Sequence, residues 1–272
     1  MLRFTGKIAT ATAASCAAVA LVSSGVVESE ASERLHILRH QMQPYRKTEQ
    51  EFRKRWERDE AEGFRKLPAR AWPAYQPDPD DIDMLLVKLA DSQCTDGKDN
   101  IVKPNHSHCK EATFNLATAL VFNNLDVSKG LQLFRALADE GDNPDGMCAY
   151  AVVHLEGYGV EQNEKLALKY LNLAIKKHNH AQAMYELGTC YYTGLEGVLE
   201  ENESLAFELF EKAAHADHVA AKYMCADMLL EGSGVTVDIA RAIPLLYTAA
   251  ENGHRFSRQR MRELLDECTS SE

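Results

Sequence analysis

The sequence predicts an all-α fold, an α-solenoid of stacked helical hairpins. Two observations carry this. A phrase made of a small residue, an apolar helix, a glycine pair followed by Val (Gly-x-Gly-Val, or Gly-x-x-Gly-Val in the second copy) and a second helix recurs three times in the last half of the 272-residue chain. Its first glycines, Gly157, Gly194 and Gly232, lie 37 and then 38 residues apart. A fixed period in the range of about 20 to 50 residues marks an array of repeated units.

Each copy reads as a hairpin of helix A and helix B. In helix A, Ala183, Leu187, Gly188 and Tyr191 fall at the i, i+4, i+5 and i+8 positions of one helical stripe. Helix B shows the same spacing at Leu205, Ala206, Leu209, Phe210 and Ala213. The glycines between them supply the positive φ that ends a helix and lets the chain reverse. Ala151, Gly188 and Ala226 share one register position, and Ala174, Ala213 and Ala249 another. Small side chains there let the two helices approach closely.

The segment Ala183-x-Tyr185-x-Leu187-Gly188-x-x-Tyr191-x-x-Gly194-x-x-Gly197-Val198 resembles a Sel-one-like repeat, a relative of the tetratricopeptide repeat. The likeness covers three units, about residues 145 to 255. A fourth, degenerate unit precedes them. Its Leu116-Ala117-Thr118-Ala119-Leu120 matches 187–191, Gly130 to Leu137 matches the helix B spacing, and Asn123-Asn124-Leu125-Asp126 makes a tighter turn. Residues 257–267 read as a polar terminal helix that covers the last unit, as open arrays require.

The expected organisation is a targeting presequence or anchor over 1–31, a charged Pro-containing arm over 32–79, a covering helix and loop over 80–110, and the array with its capping helix over 111–272. Ile8 to Val27 carry no charge and follow Arg3 and Lys7. This start fits a mitochondrial presequence, including an inner-membrane or intermembrane-space form. It also fits a secretory signal peptide, or a retained anchor that associates with a membrane through residues 8–27. In the arm, 50–58 alternate charge signs, so a helix there is solvent-exposed or leans on a partner. Pro68, Pro73, Pro77 and Pro79 exclude regular helix. From Asp80, an acidic first turn and an apolar face begin the covering helix.

Charge is divided unevenly. Residues 34–70 hold 11 Lys/Arg against 6 Asp/Glu, and residues 71–272 hold 17 against 32. An acidic array argues against nucleic acid as a partner. The basic segment suits anionic lipid, an acidic partner or the array itself.

No catalytic, cofactor or metal residues are expected. The glycine pairs lie between helices with no strand before them, unlike nucleotide fingerprints. His106-Ser107-His108-Cys109 has no structural-zinc spacing. His178, His180, His215 and His218 fall at helix B ends, where a cation is favoured by the dipole. Cys148, Cys190 and Cys225 are non-equivalent in the repeat and read as small core residues. A disulfide between Cys94 and Cys109 would tie the covering helix to the array and needs an oxidising compartment.

The resemblance implies a protein-binding scaffold whose helices A line an inner surface. The inward positions are then Phe114, Thr118 and Val121; Cys148, Val152 and Leu155; Tyr185, Thr189 and Tyr192; and Tyr223, Asp227 and Leu230. The expected function is an adaptor for a protein or peptide on that concave face, as a mitochondrial assembly factor. The alternatives are an endoplasmic-reticulum quality-control adaptor, or a structural subunit of a larger mitochondrial complex whose arm anchors through Trp56, Trp72 and Tyr75.

Overall fold

The computed structural model describes residues 25–61, 107–140 and 142–269. Residues 1–24, the Pro-containing segment with Trp72 and Tyr75, the helix expected from Asp80, and Cys94 lie outside the described residues. Ten helices are described: α1 (Gly25–Ala61), α2 (Ser107–Phe122), α3 (Val127–Asp139), α4 (Pro144–Glu156), α5 (Glu164–His178), α6 (Ala181–Thr193), α7 (Glu203–His215), α8 (Val219–Glu231), α9 (Ile239–Glu251) and α10 (Arg255–Thr269). They fall into two compact units. One holds α2 to α7 and the start of α8; the other holds α1, the rest of α8 from Lys222, α9 and α10.

In the first unit, α2/α3, α4/α5 and α6/α7 are hairpins, and α3 on α4, α5 on α6 and α4 on α6 pack between them. Ala151, Ala167, Ala174, Ala183, Ala206 and Ala213 are fully buried. Gly188 shows why the position must be small: a Cβ there would stand 2.8 Å from Cε1 of Phe210. Gly130 repeats the requirement in the degenerate hairpin, where a Cβ would meet Val121 Cγ2 at 2.6 Å.

The turns from helix A to helix B follow one rule. A left-handed glycine ends helix A, at Gly157 and Gly232 with φ 71° and 79°. An Asn or Asp then caps helix B: Asn163, Asn202 and Asp238 accept from the amides of Leu166, Leu205 and Arg241, each at 3.0 Å. The backbone N–H of each cap residue reaches back to helix A, to His154, Tyr191 and Leu229 carbonyls at 3.0, 2.8 and 2.9 Å. The degenerate hairpin has only residues 123–126 for its turn, with Asn124 at φ 54° and Asp126 capping α3.

Of the settings open to the basic segment, the second unit shows it packed on the last helices of the chain. Helix α1 runs 37 residues and packs on both α9 and α10. It buries Leu38, Met42, Phe52 and Trp56, which lie 4, 10 and 4 residues apart and so share one helical stripe. Trp56 is therefore an anchor inside this chain, not on a neighbour. Arg34 Nη2 donates to the Leu230 carbonyl at 3.0 Å, and Arg53 pairs with Asp266 at 2.8 Å. Helix α10 packs on α9, and α1 packs on both.

Arg258 of α10 explains much of this joint. It is 2% exposed, and it donates to the carbonyls of Ala250 at 2.9 Å and Trp56 at 3.4 Å and to Asp59 at 3.0 Å. Its guanidinium also lies over the Trp56 ring, 5.5 Å from the centroid.

Candidate protein-binding surface

The positions inferred for an inner surface do not share one environment. Thr118, Val121, Val152, Leu155, Tyr223 and Leu230 are buried, as is Cys148. Phe114, Tyr185, Thr189, Tyr192 and Asp227 are half-buried. Thr118 and Thr189 spend their hydroxyls on the carbonyls of Phe114 and Tyr185 one turn back, at 2.8 and 3.0 Å. Helix α4 is buried around most of its circumference, from Gly146 to Val153. The accessible part of this set in the first unit is therefore Phe114 on α2 together with Tyr185, Thr189 and Tyr192 on α6.

The α6 face is organised by a hydrogen-bonded relay that the sequence reading did not anticipate. The Ala221 amide donates to His218 Nδ1 at 3.1 Å. That leaves Nε2 to carry the proton and donate to Gln182 Oε1 at 2.7 Å. Gln182 Nε2 in turn donates to Glu186 Oε1 at 2.6 Å. The His218 ring stacks on Tyr185, with centroids 4.8 Å apart and 28° between planes. Burial pushes the Glu186 carboxyl up to about 7, with the Gln182 hydrogen bond opposing and the charge of Glu156 adding.

This geometry corrects the reading of two histidines. His178 and His215 do lie in the last turns of α5 and α7. His180 and His218 instead stand at the starts of α6 and α8, where a positive charge is disfavoured by the dipole. His218 serves there as a neutral acceptor for an orphan amide. His254 does the same for α10, accepting from the Ser257 amide at 3.3 Å, and burial lowers its pKa to about 4. His180 takes a different course and meets Asp145 Oδ1 at 3.2 Å. The period of 36 to 38 residues linking these histidines was the available signal, since Asn143 fills the same place before α4.

Cys109 is buried and disulfide-bonded. Cys148, Cys190, Cys225 and Cys268 remain buried thiols. Among the described residues no group of three His, Cys, Asp or Glu is placed to hold a metal ion, and no helix is long and apolar enough to cross a membrane.

The model of the Sel1 repeat matches residues 144–179, 181–218 and 219–254. These three units are Sel1 repeats. Chitin synthase regulatory factor 2 of Schizosaccharomyces pombe is 34% identical over 106 residues, which is 38% of this chain and 20% of that protein. HRD3, the component of an ERAD-associated E3 ubiquitin-protein ligase in Candida glabrata, is 27% identical over 117 residues, 42% of this chain and 14% of that one. The Sel1 array thus spans a small part of each of these longer proteins. A solved structure with an SLR fold, a protective antigen of uropathogenic Escherichia coli strains, superposes with a TM-score of 0.51 at 20% identity, over 70% of this chain and 41% of that one. That likeness shows the fold.

Proposed function

We propose that this chain is a non-catalytic protein-binding adaptor that serves an enzyme of the secretory pathway or endoplasmic reticulum. The observation that carries the reading is the relatedness of its Sel1 repeats to proteins named as a regulator of chitin synthase and as a component of a ubiquitin ligase. Both names describe accessories to an enzyme. An array of helical hairpins suits that work, because it offers side chains from successive helices to one partner. The relatives support this placement in preference to the mitochondrial assembly role that the N-terminal composition suggests. A disulfide at Cys109 is in keeping with an oxidising compartment. Within the reading, Tyr185, Thr189 and Tyr192 of α6 are the contact residues, since aromatic side chains anchor interfaces well.

The test is purification of the tagged full-length chain from gently solubilised membranes, with protein identification and organelle fractionation. Copurification with one membrane-associated enzyme of the secretory pathway at fixed stoichiometry supports the reading. A chain that is protected inside mitochondria, or that itself turns over substrate, contradicts it.

A further inference from the structure

We propose that Asn202 is an N-glycosylation site, whose side-chain nitrogen receives an oligosaccharide in the lumen of the endoplasmic reticulum. The inference rests on the secretory reading and deepens it, because it puts the Sel1 repeats on the lumenal side of the membrane.

Asn202-Glu203-Ser204 has the acceptor form Asn-x-Ser, with no proline between. The fold by itself asks only for the first of these residues. Asn163 and Asp238 cap the equivalent helices α5 and α9 through the same 3.0 Å bond. Glu164-Lys165 and Ile239-Ala240 follow them, so neither cap begins an acceptor triplet. Ser204 is thus additional to what the hairpin needs.

The geometry leaves the right atom for the chemistry. Asn202 Oδ1 accepts from the Leu205 amide at 3.0 Å, which orients the side-chain amide. Its Nδ2 has no hydrogen-bond partner among the described residues. Asn172 and Asn252 differ here, since their Nδ2 atoms donate to the carbonyls of Leu168 and Thr248, each at 2.8 Å. The Asn202 backbone is extended, with φ −149° and ψ 93°, and Glu200, Glu201, Asn202 and Ser204 are all exposed. The turn from Gly194 to Asn202 spans eight residue steps, against six from Gly157 to Asn163 and six from Gly232 to Asp238. Bulk attached to Nδ2 therefore meets solvent, as a surface glycan requires. A sugar on Nδ2 also leaves Oδ1 a carbonyl, so the glycan and the helix cap coexist.

The co-reactant is a polyprenyl-diphosphate-linked oligosaccharide, brought by the lumenal transferase. Nδ2 forms a bond to C1 of the first sugar and gives up one proton. The bond from C1 to the diphosphate oxygen breaks, and the diphosphate leaves with its electron pair. Cys109 points to the same compartment independently, because its disulfide belongs to an oxidising lumen.

The experiment expresses the full chain in eukaryotic cells with a C-terminal tag containing Asn-Gly-Thr, whose glycosylation reports lumenal exposure. Peptide N-glycosidase F in water carrying heavy oxygen converts each occupied Asn to a labelled Asp, which peptide mass spectrometry reads site by site. This separates Asn202 from Asn105 of Asn105-His106-Ser107, a second triplet that begins outside the described residues. Asn202 should be labelled in the native chain, and S204A and N202D should lose that glycan while the tag keeps its own. S204A retains the Asn202 cap and N202D supplies the cap that Asp238 makes, so misfolding does not explain the loss. An unoccupied Asn202 on a chain whose tag is glycosylated overturns the site and leaves the secretory reading standing. If neither is occupied while the chain copurifies with an enzyme of the secretory pathway, the lumenal site fails and the adaptor reading stands. If neither is occupied and the chain is inside mitochondria, both fail.

Discussion

Trp56 donates its indole Nε1–H to Glu251 Oε1 at 3.1 Å, across 195 residues of sequence. Arg55 pairs with the same carboxylate, and the Tyr45 ring lies tilted against Tyr247 with centroids 4.7 Å apart. The first described helix and the last Sel1 repeat therefore share one core. Helix α1 is part of the folded body, and its removal would leave Arg258 a buried charge without its Asp59 partner.

Trp56→Ala should destabilise this unit by about 3–5 kcal/mol, because the side chain is fully buried. Urea denaturation of the full chain, followed by hydrogen exchange over 239–269, reads the loss. An unchanged midpoint would mean that α1 is not docked in solution.

Gly188→Ala tests the close approach of α6 and α7. The added methyl overlaps the Phe210 ring, and overpacking of this kind costs about 1–3 kcal/mol. That exceeds the helix-propensity gain of up to about 1 kcal/mol. In a Phe210→Leu background the penalty should shrink, and a double-mutant cycle by chemical denaturation measures the coupling.

Asn202→Ala should cost about 1 kcal/mol, through loss of the bond from the Leu205 amide. Asn202→Asp should retain the cap. Asn163 should behave alike, since the same contact recurs one repeat earlier. Thermal melts of the four variants compare them directly.

His254 gives the second unit a pH dependence of known sign. Its folded pKa is lowered to about 4, below the ordinary value of 6.5 for the unfolded chain. Between these values the unfolded chain binds the proton first, so this contribution is complete above pH 6.5 and is lost as pH falls towards 4. H254N keeps an acceptor for the Ser257 amide, as Asn143 does for Gly146 at 2.7 Å. The melting temperature of H254N relative to the native chain should therefore rise steadily from pH 7 to pH 4.5. A flat difference would remove the role given to His254.

The Sel1 hairpins were readable because small residues, glycine turns and apolar spacing all repeat, and Ala151, Ala174, Gly188 and Ala213 lie where their register put them. Helix α1 was not readable in the same way. Its buried stripe of Leu38, Met42, Phe52 and Trp56 is diluted by eight Lys and Arg side chains between residues 34 and 61, and nothing local names α9 and α10 as its partners. The inner face was only half legible. Helical spacing groups Val152 with Thr189 but does not say that one is buried and the other half-exposed. The His218–Gln182–Glu186 relay joins side chains 36 residues apart, and a histidine reads equally well as a cation ending one helix or a neutral cap starting the next.

The most direct measurement of the adaptor claim is photocrosslinking in cells from p-benzoylphenylalanine placed at Tyr192 on α6 and, separately, at Glu208 on the exposed side of α7. The account predicts one discrete adduct, from position 192 alone, with a protein of the secretory pathway. Identical adducts from both positions, or none from 192 while the chain copurifies with its partner, would contradict it.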